Sequence, residues 1–194
     1  LDYLFSRHIA RATNPSFTHF LSHLYLGSHS EPVYPISFVN AAAWLLSRAC
    51  LEKVGGFDPL FFMYGEDDDY CNRVTYHGFK IGLVPTAAIL HVRDGNTITE
   101  QYHAARSDSG PNLRASKMTA DLKNPSGRYV NRLWHWITGA FLLGFEFLLS
   151  GDLRRLASLA LATMKTFIHL PRIWRHRRIC RTSGPNWPSF TWVI

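Results

Sequence analysis

Between Tyr34 and Val92, short apolar runs are punctuated by glycine and proline; from Trp134 onward, apolar residues follow one another with few breaks. Before Pro35 the chain mixes aromatics with His and Ser and gives a weak helical signal over 3–12 and 16–26. YPISFVNAAAWLLS reads as extended and buried after Pro35, with small residues at Ala41, Ala42 and Ala43 that let another group approach. SRACLEKVGG predicts a short helix with Ser47 as N-cap and Gly55 as its stop. FDPLFFMYG predicts a turn and then an apolar loop. EDDDYCNRVTYHG predicts a second helix: acids fill its first turn, Tyr70, Val74 and His77 recur at helical spacing, and Gly78 ends it. Two short strands follow, FKIGLV and AAILHV, parted by Pro85-Thr86.

Residues 93–130 are polar and rich in Gly, Ser, Asn and Pro, which predicts a mobile loop region. The expected division is therefore a first unit over 1–130, with its motif core at 36–94, and a helical tail over 131–194. WHWITGAFLLGFEFLLSG is apolar nearly all round, but Glu146 interrupts it and it is short for a bilayer span. The next segment is amphipathic. Leu153, Leu156, Ala160, Met164 and Phe167 form one stripe, and Arg155, Ser158, Ala162, Lys165 and His169 lie opposite. Pro171 is expected to end that helix, and RIWRHRRICR follows.

Charge sharpens the picture of the tail. Residues 151–183 carry eight Lys and Arg against Asp152 alone, a net +7 that equals the excess of the whole chain. Such asymmetry points to an anionic partner. No groove-reading motif accompanies the basic run, so nucleic acid is not the expected partner. An anionic membrane surface, met by residues 134–181, is expected; packing on protein is the alternative. Composition, 46% hydrophobic and 18% charged, is that of a folded chain. Cys50, Cys71 and Cys180 are odd in number and lack metal-type spacing, which suits free thiols in a reducing compartment. Leu1 opens the chain and no signal-peptide pattern follows, so the chain is read as beginning mid-protein.

Candidate chemistry concentrates in FFMYGEDDDYCNR. Acids near a helix start gain about 0.3–1 kcal/mol each from the helix dipole. Four adjacent acids exceed that need and repel one another. Phe61, Phe62 and Tyr64 before them would fix a carboxylate at the edge of a core, where it can serve as a general base. Asp67-Asp68-Asp69 is also a literal Asp-x-Asp, a pattern that can hold a hard cation. His91, at a strand end, is a second metal candidate.

The ordered set of a small-residue strand, Arg48, Gly55-Gly56-Phe57-Asp58, Phe61-Phe62, Tyr64, Glu66-Asp67-x-Asp69, Arg73, Gly78, Pro85 and His91 resembles the acceptor half of family-2 glycosyltransferases of the rhamnosyltransferase-like kind. The segment runs from Asn40 to Asp94, 55 residues. The resemblance implies an α/β fold: the C-terminal part of a GT-A (Rossmann-like) domain, followed here by the helical, amphipathic, basic tail. It implies Asp67 as catalytic base with Glu66 beside it, and His91 as a ligand of a divalent metal, Mn²⁺ or Mg²⁺. It also implies Asn40, Trp44, Asp58, Tyr64, Asp69 and Arg73 around the substrates, with Asp69 and Arg73 on the helix that buttresses the base. The expected activity is inverting transfer of a sugar from a nucleotide-diphosphate sugar to a saccharide or lipid-linked acceptor, in polysaccharide or cell-envelope glycan synthesis. The expected location is cytoplasmic, peripheral on the cytoplasmic face of the membrane. The family's nucleotide-binding half lies upstream of the matching elements, so the chain by itself is expected to be an inactive portion. A non-catalytic membrane-docking module, or Asp67–Asp69 used as the nucleotide-metal motif, are the alternatives.

Overall fold

A computed structural model describes residues 33–39, 41, 43–61, 64–84, 87 and 110–182. The helices expected over 3–12 and 16–26, the second strand candidate with His91, and Asn40 lie outside the described residues.

The first layer is small. Strand β1, Tyr34–Ile36, pairs antiparallel with β2, Ile81–Leu83, in the register Tyr34↔Leu83, Pro35↔Gly82 and Ile36↔Ile81. Helix α1, Arg48–Val54, starts where the Ser47 hydroxyl accepts the Cys50 amide at 3.2 Å. It stops at Gly55, whose φ of 82° is open to glycine at little cost. Helix α2, Glu66–Tyr76, carries the four acids in its first turn, and Gly78 at φ 83° turns the chain out of it. Cys50 and Val54 of α1 pack on Tyr70 and Val74 of α2, with Trp44, Leu46, Phe79 and Ile81 closing the cluster. The three cysteines are free and buried.

The second layer is helical. Pro111–Lys123, expected as part of a mobile loop, is helix α3. Pro111 sits at its first turn, where a missing amide costs nothing, and Asn124-Pro125 ends it. Helices α4, Tyr129–Leu149, and α5, Leu153–Cys180, form a hairpin turned at Gly151, φ 70°. Asp152 caps α5 by accepting the Arg155 amide at 3.0 Å. Helix α3 packs on α2 as well as on α4 and α5, so buried contacts run across residue 130, the expected border between units.

One expectation for the tail is corrected. Pro171 does not end α5; the helix passes through it to Cys180. Proline removes one ladder bond. Beyond it Ile173, Arg177 and Cys180 are buried, and the His77 ring nitrogen lies 3.0 Å from the Cys180 carbonyl. Anchoring of that kind holds the last turns in place. The face of α5 that packs on the protein is distinct from the apolar stripe. Helix α5 buries Leu159, Ala162, Thr166, Ile173, Arg177 and Cys180, while Leu153, Ala160, Met164 and Phe167 of the expected apolar stripe are exposed. Ala162 and Thr166 are small enough to let α5 approach its neighbours closely, and bulky Met and Phe are not. No helix among the described residues is long and apolar enough to cross a membrane.

Candidate active site at the start of helix α2

The four acids of α2 are not equivalent. Asp69 points inward and is fully buried, held by Arg73 Nε at 2.9 Å and Lys123 Nζ at 2.5 Å. Lys123 also meets Asp58 Oδ2 at 2.7 Å, and His176 Nδ1 lies 2.9 Å from Asp58 Oδ1. Arg73 spends its other two nitrogens on the carbonyls of Val54 (2.9 Å) and Gly56 (2.8 Å), and its guanidinium lies over the Tyr70 ring. Two carboxylates thus face two permanent cations and an imidazole in a dry interior. Burial alone would raise the Asp58 carboxyl. The His176 hydrogen bond, the Lys123 charge and the Leu60 amide outweigh it and hold the group down at about 2. Burial likewise works against the charge on Lys123, but Asp69 and Asp58 more than offset it and raise its pKa.

Glu66 and Asp67 sit differently. Both are half-buried at the mouth of the helix, and no ion pair engages either of them among the described residues. One Asp67 oxygen accepts the Asp68 amide at 2.8 Å, which pins the carboxylate and leaves the second oxygen for other work. Glu66 Oε2 is buried without a hydrogen-bond partner among the described residues. An orphan acceptor of this kind is costly unless something else meets it. The loop before them is strained. Tyr64 takes φ 68°, outside the range a bulky residue prefers, and is followed by Gly65 at φ 84°. Gly65 is pressed against Phe61 and α3: a Cβ there would meet the Ser116 carbonyl at 3.1 Å and the Phe61 ring at 3.3 Å.

The expected substrate residues divide accordingly. Tyr64 is exposed, and Trp44 is half-buried, stacked on Phe57 with centroids 5.6 Å apart. Asp58, Asp69 and Arg73 were expected to contact substrate. The structure places all three below the surface, about 0–1% exposed, in the ion network that joins α2 to α3 and α5. Both Asp69 oxygens are engaged, one by Arg73 and the other by Lys123. Among the described residues no group of His, Cys, Asp and Glu could hold a metal ion.

Lys123 and His176 had no place in the sequence reading. The signal for α3 was present: Gly110-Pro111 and Asn124-Pro125 frame it, and Ala115, Met118, Thr119 and Leu122 share a face. A lysine at the end of that face reads as solvated. Arg177, one of the basic run, is not a free charge: it is buried and donates to the carbonyls of Asn124, Pro125, Ser126 and Gly127 at 2.7–3.2 Å. The seven other Lys and Arg residues of 151–183 are exposed.

A family profile described as the N-terminal domain of galactosyltransferase matches residues 23–99, the stretch that includes α1, α2 and both strands. An N-acetylglucosaminyl-diphospho-decaprenol L-rhamnosyltransferase of Mycobacterium tuberculosis is 35% identical over 63 residues, 32% of this chain and 20% of that protein. A pre-mycofactocin glycosyltransferase of the same organism is 31% identical over 170 residues, 84% of this chain and 32% of that protein. The chain therefore spans a third or less of the length of these relatives. No solved structure matches it. The match falls on the segment that holds the Glu66-Asp67 pair and its buried support, and over it the chain is similar to glycosyltransferases.

Proposed function

We propose that this chain is the acceptor-side portion of a GT-A glycosyltransferase, and that Asp67 is its general base. The observation that carries the reading is the split among the four acids. Asp69 is neutralised from below by Arg73 and Lys123, whereas Asp67 stays half-buried with one oxygen uncommitted among the described residues. In this reading the free Asp67 oxygen takes the proton of an acceptor hydroxyl as its oxygen attacks the anomeric carbon. The bond from that carbon to the nucleotide diphosphate breaks on the opposite face, and configuration inverts. Glu66 accepts a neighbouring hydroxyl through its unpartnered oxygen, and Trp44 and Tyr64 offer apolar faces to sugar rings. The described residues do not make a metal centre. A divalent ion, Mn²⁺ or Mg²⁺, is proposed on the donor side, with His91 as one ligand and no part for Asp69.

The named acceptor of the rhamnosyltransferase relative is a diphospho-decaprenol lipid. We take a lipid-linked saccharide as the acceptor class here. The tail supports that choice. Phe141, Phe145, Leu148, Leu156, Met164 and Phe167 line an apolar groove of about 670 Å³ between α4 and α5. Exposed Arg154, Arg172, Arg175 and Arg178 stand on the same hairpin. Apolar side chains buried at the headgroup boundary, with arginines on anionic lipid at about 1 kcal/mol each, would hold the protein peripherally on the cytoplasmic face. The test of the base is Asp67→Asn in the complete enzyme. Transfer should fall by at least a hundredfold with the thermal melt unchanged, and transfer within a few-fold of the parent would remove Asp67 from this role.

A further inference from the structure

The ions that hold α2 reach it from the far end of the chain. His176 stands on α5 among the exposed arginines of the basic run, yet its Nδ1 lies 2.9 Å and 3.1 Å from the two oxygens of Asp58. Asp58 meets Lys123 of α3 at 2.7 Å, and Lys123 meets Asp69 of α2 at 2.5 Å. Asp69 follows Asp67 by two residues in the same first turn. The chain of contacts therefore runs from the hairpin, through the loop after α1 and through α3, to the turn that carries the base. Lys123 is the member that touches both carboxylates.

Packing alone does not require this arrangement. A buried ion group is seldom more stabilising than well-fitted apolar side chains of the same volume, but its geometry is directional and admits few registers. Catalytic groups, in turn, need support that fixes them within a fraction of an ångström. We propose that Lys123 is a positioning residue: with His176 it sets the start of α2, and hence Asp67, at a fixed place relative to the α4–α5 hairpin. The inference rests on the reading of Asp67 as base and of the hairpin as the membrane-facing element. Its consequence is geometric. An acceptor tethered by a lipid presents its hydroxyl at a set height above the bilayer, and the base has to be held at that height by the element that touches the bilayer.

The experiment uses the complete enzyme as parent, Lys123→Met, His176→Gln and Asp67→Asn. Steady-state transfer is measured alongside thermal melting and hydrogen exchange of the amides of residues 66–70. Misplacing a reacting group by about 1 Å can cost about a hundredfold in rate. Lys123→Met should therefore lower kcat at least tenfold with KM for the nucleotide-sugar donor within threefold, and quicken exchange over 66–70 at least tenfold. Exchange over 133–147 of α4 should stay as in the parent. His176→Gln, whose amide does not stand at the Nδ1 position that faces Asp58, should show the same pattern at smaller size. Unchanged kcat and unchanged exchange over 66–70 in a folded Lys123→Met would overturn the proposal, as would exchange that rises equally along the whole chain. If Lys123→Met gives no cooperative melt, His176→Gln decides on the same criteria. If Asp67→Asn stays active while exchange over 66–70 responds to Lys123→Met, the base assignment falls and the positioning stands.

Discussion

Replacing Arg73 with methionine removes one charge from the interior and three hydrogen bonds at once. Arg73 is fully buried; its Nε holds Asp69 at 2.9 Å, and its two terminal nitrogens hold the Val54 and Gly56 carbonyls at 2.9 and 2.8 Å. Breaking a buried ion pair costs about 3–5 kcal/mol when the surviving partner is stranded. Asp69 is not fully stranded here, because Lys123 remains on its other oxygen. The two carbonyls lose their donors, at about 1–3 kcal/mol for each buried group left unmet. Methionine returns part of the lost packing. The expected loss is therefore about 3–5 kcal/mol, a large share of the roughly 5–15 kcal/mol that holds a domain of this size. Urea unfolding followed by circular dichroism reads it directly. With a slope of about 2 kcal/mol per molar, the midpoint should drop by about 2 M at constant slope. Arg73→Lys, which keeps the charge but not the fork to both carbonyls, should lose about half as much. A loss below about 1 kcal/mol for Arg73→Met would show that the network does not bear on stability, and the account of α2 being held from below would fail with it.

Asp58 supplies a pH test. Its folded pKa is lowered to about 2 from an ordinary 3.8, so its contribution is present above about 3.8 and is lost as pH falls through 2. The size is about 2 kcal/mol. Urea midpoints at pH 5 and pH 2.5 should diverge less in Asp58→Asn than in the parent, and equal divergence would refute the assignment. Gly65→Ala should cost about 1–2 kcal/mol for the positive φ, with more from the Ser116 carbonyl 3.1 Å from the new Cβ; an unchanged melting temperature would mean the turn is not held as described. On vesicles, binding should rise with anionic lipid and fall in high salt. Glutamate at both Phe141 and Phe167, each largely exposed, should abolish it without altering the melt; an intact chain that stays in the supernatant on anionic vesicles at low salt would rule out membrane docking.

The local signals of the motif segment were legible in the residues themselves. Ser47 and Gly55 delimit α1, and four acids and Gly78 delimit α2, because caps and positive φ are decided by neighbours a few positions away. The order of Gly-Gly-Phe-Asp, Glu-Asp-x-Asp and Arg73 was likewise enough to suggest the family. Composition and spacing did not rank the four acids against each other, since Asp67 and Asp69 differ in sequence by position alone; only the resemblance set Asp67 apart from Asp69. Their difference is that Lys123 arrives under one of them from 54 residues away. The same holds along the tail. Periodicity marks Met164 and Phe167 as part of an apolar stripe, expected at a membrane surface; that α5 packs on the protein through Ala162 and Thr166 it does not show. Pro171 read as a stop, yet contacts made by Ile173, Arg177 and Cys180 carry the helix past it. Periodicity shows that a helix has two faces, whereas the fit and charge of whatever lies opposite decide which face is covered, and those partners come from elsewhere in the chain.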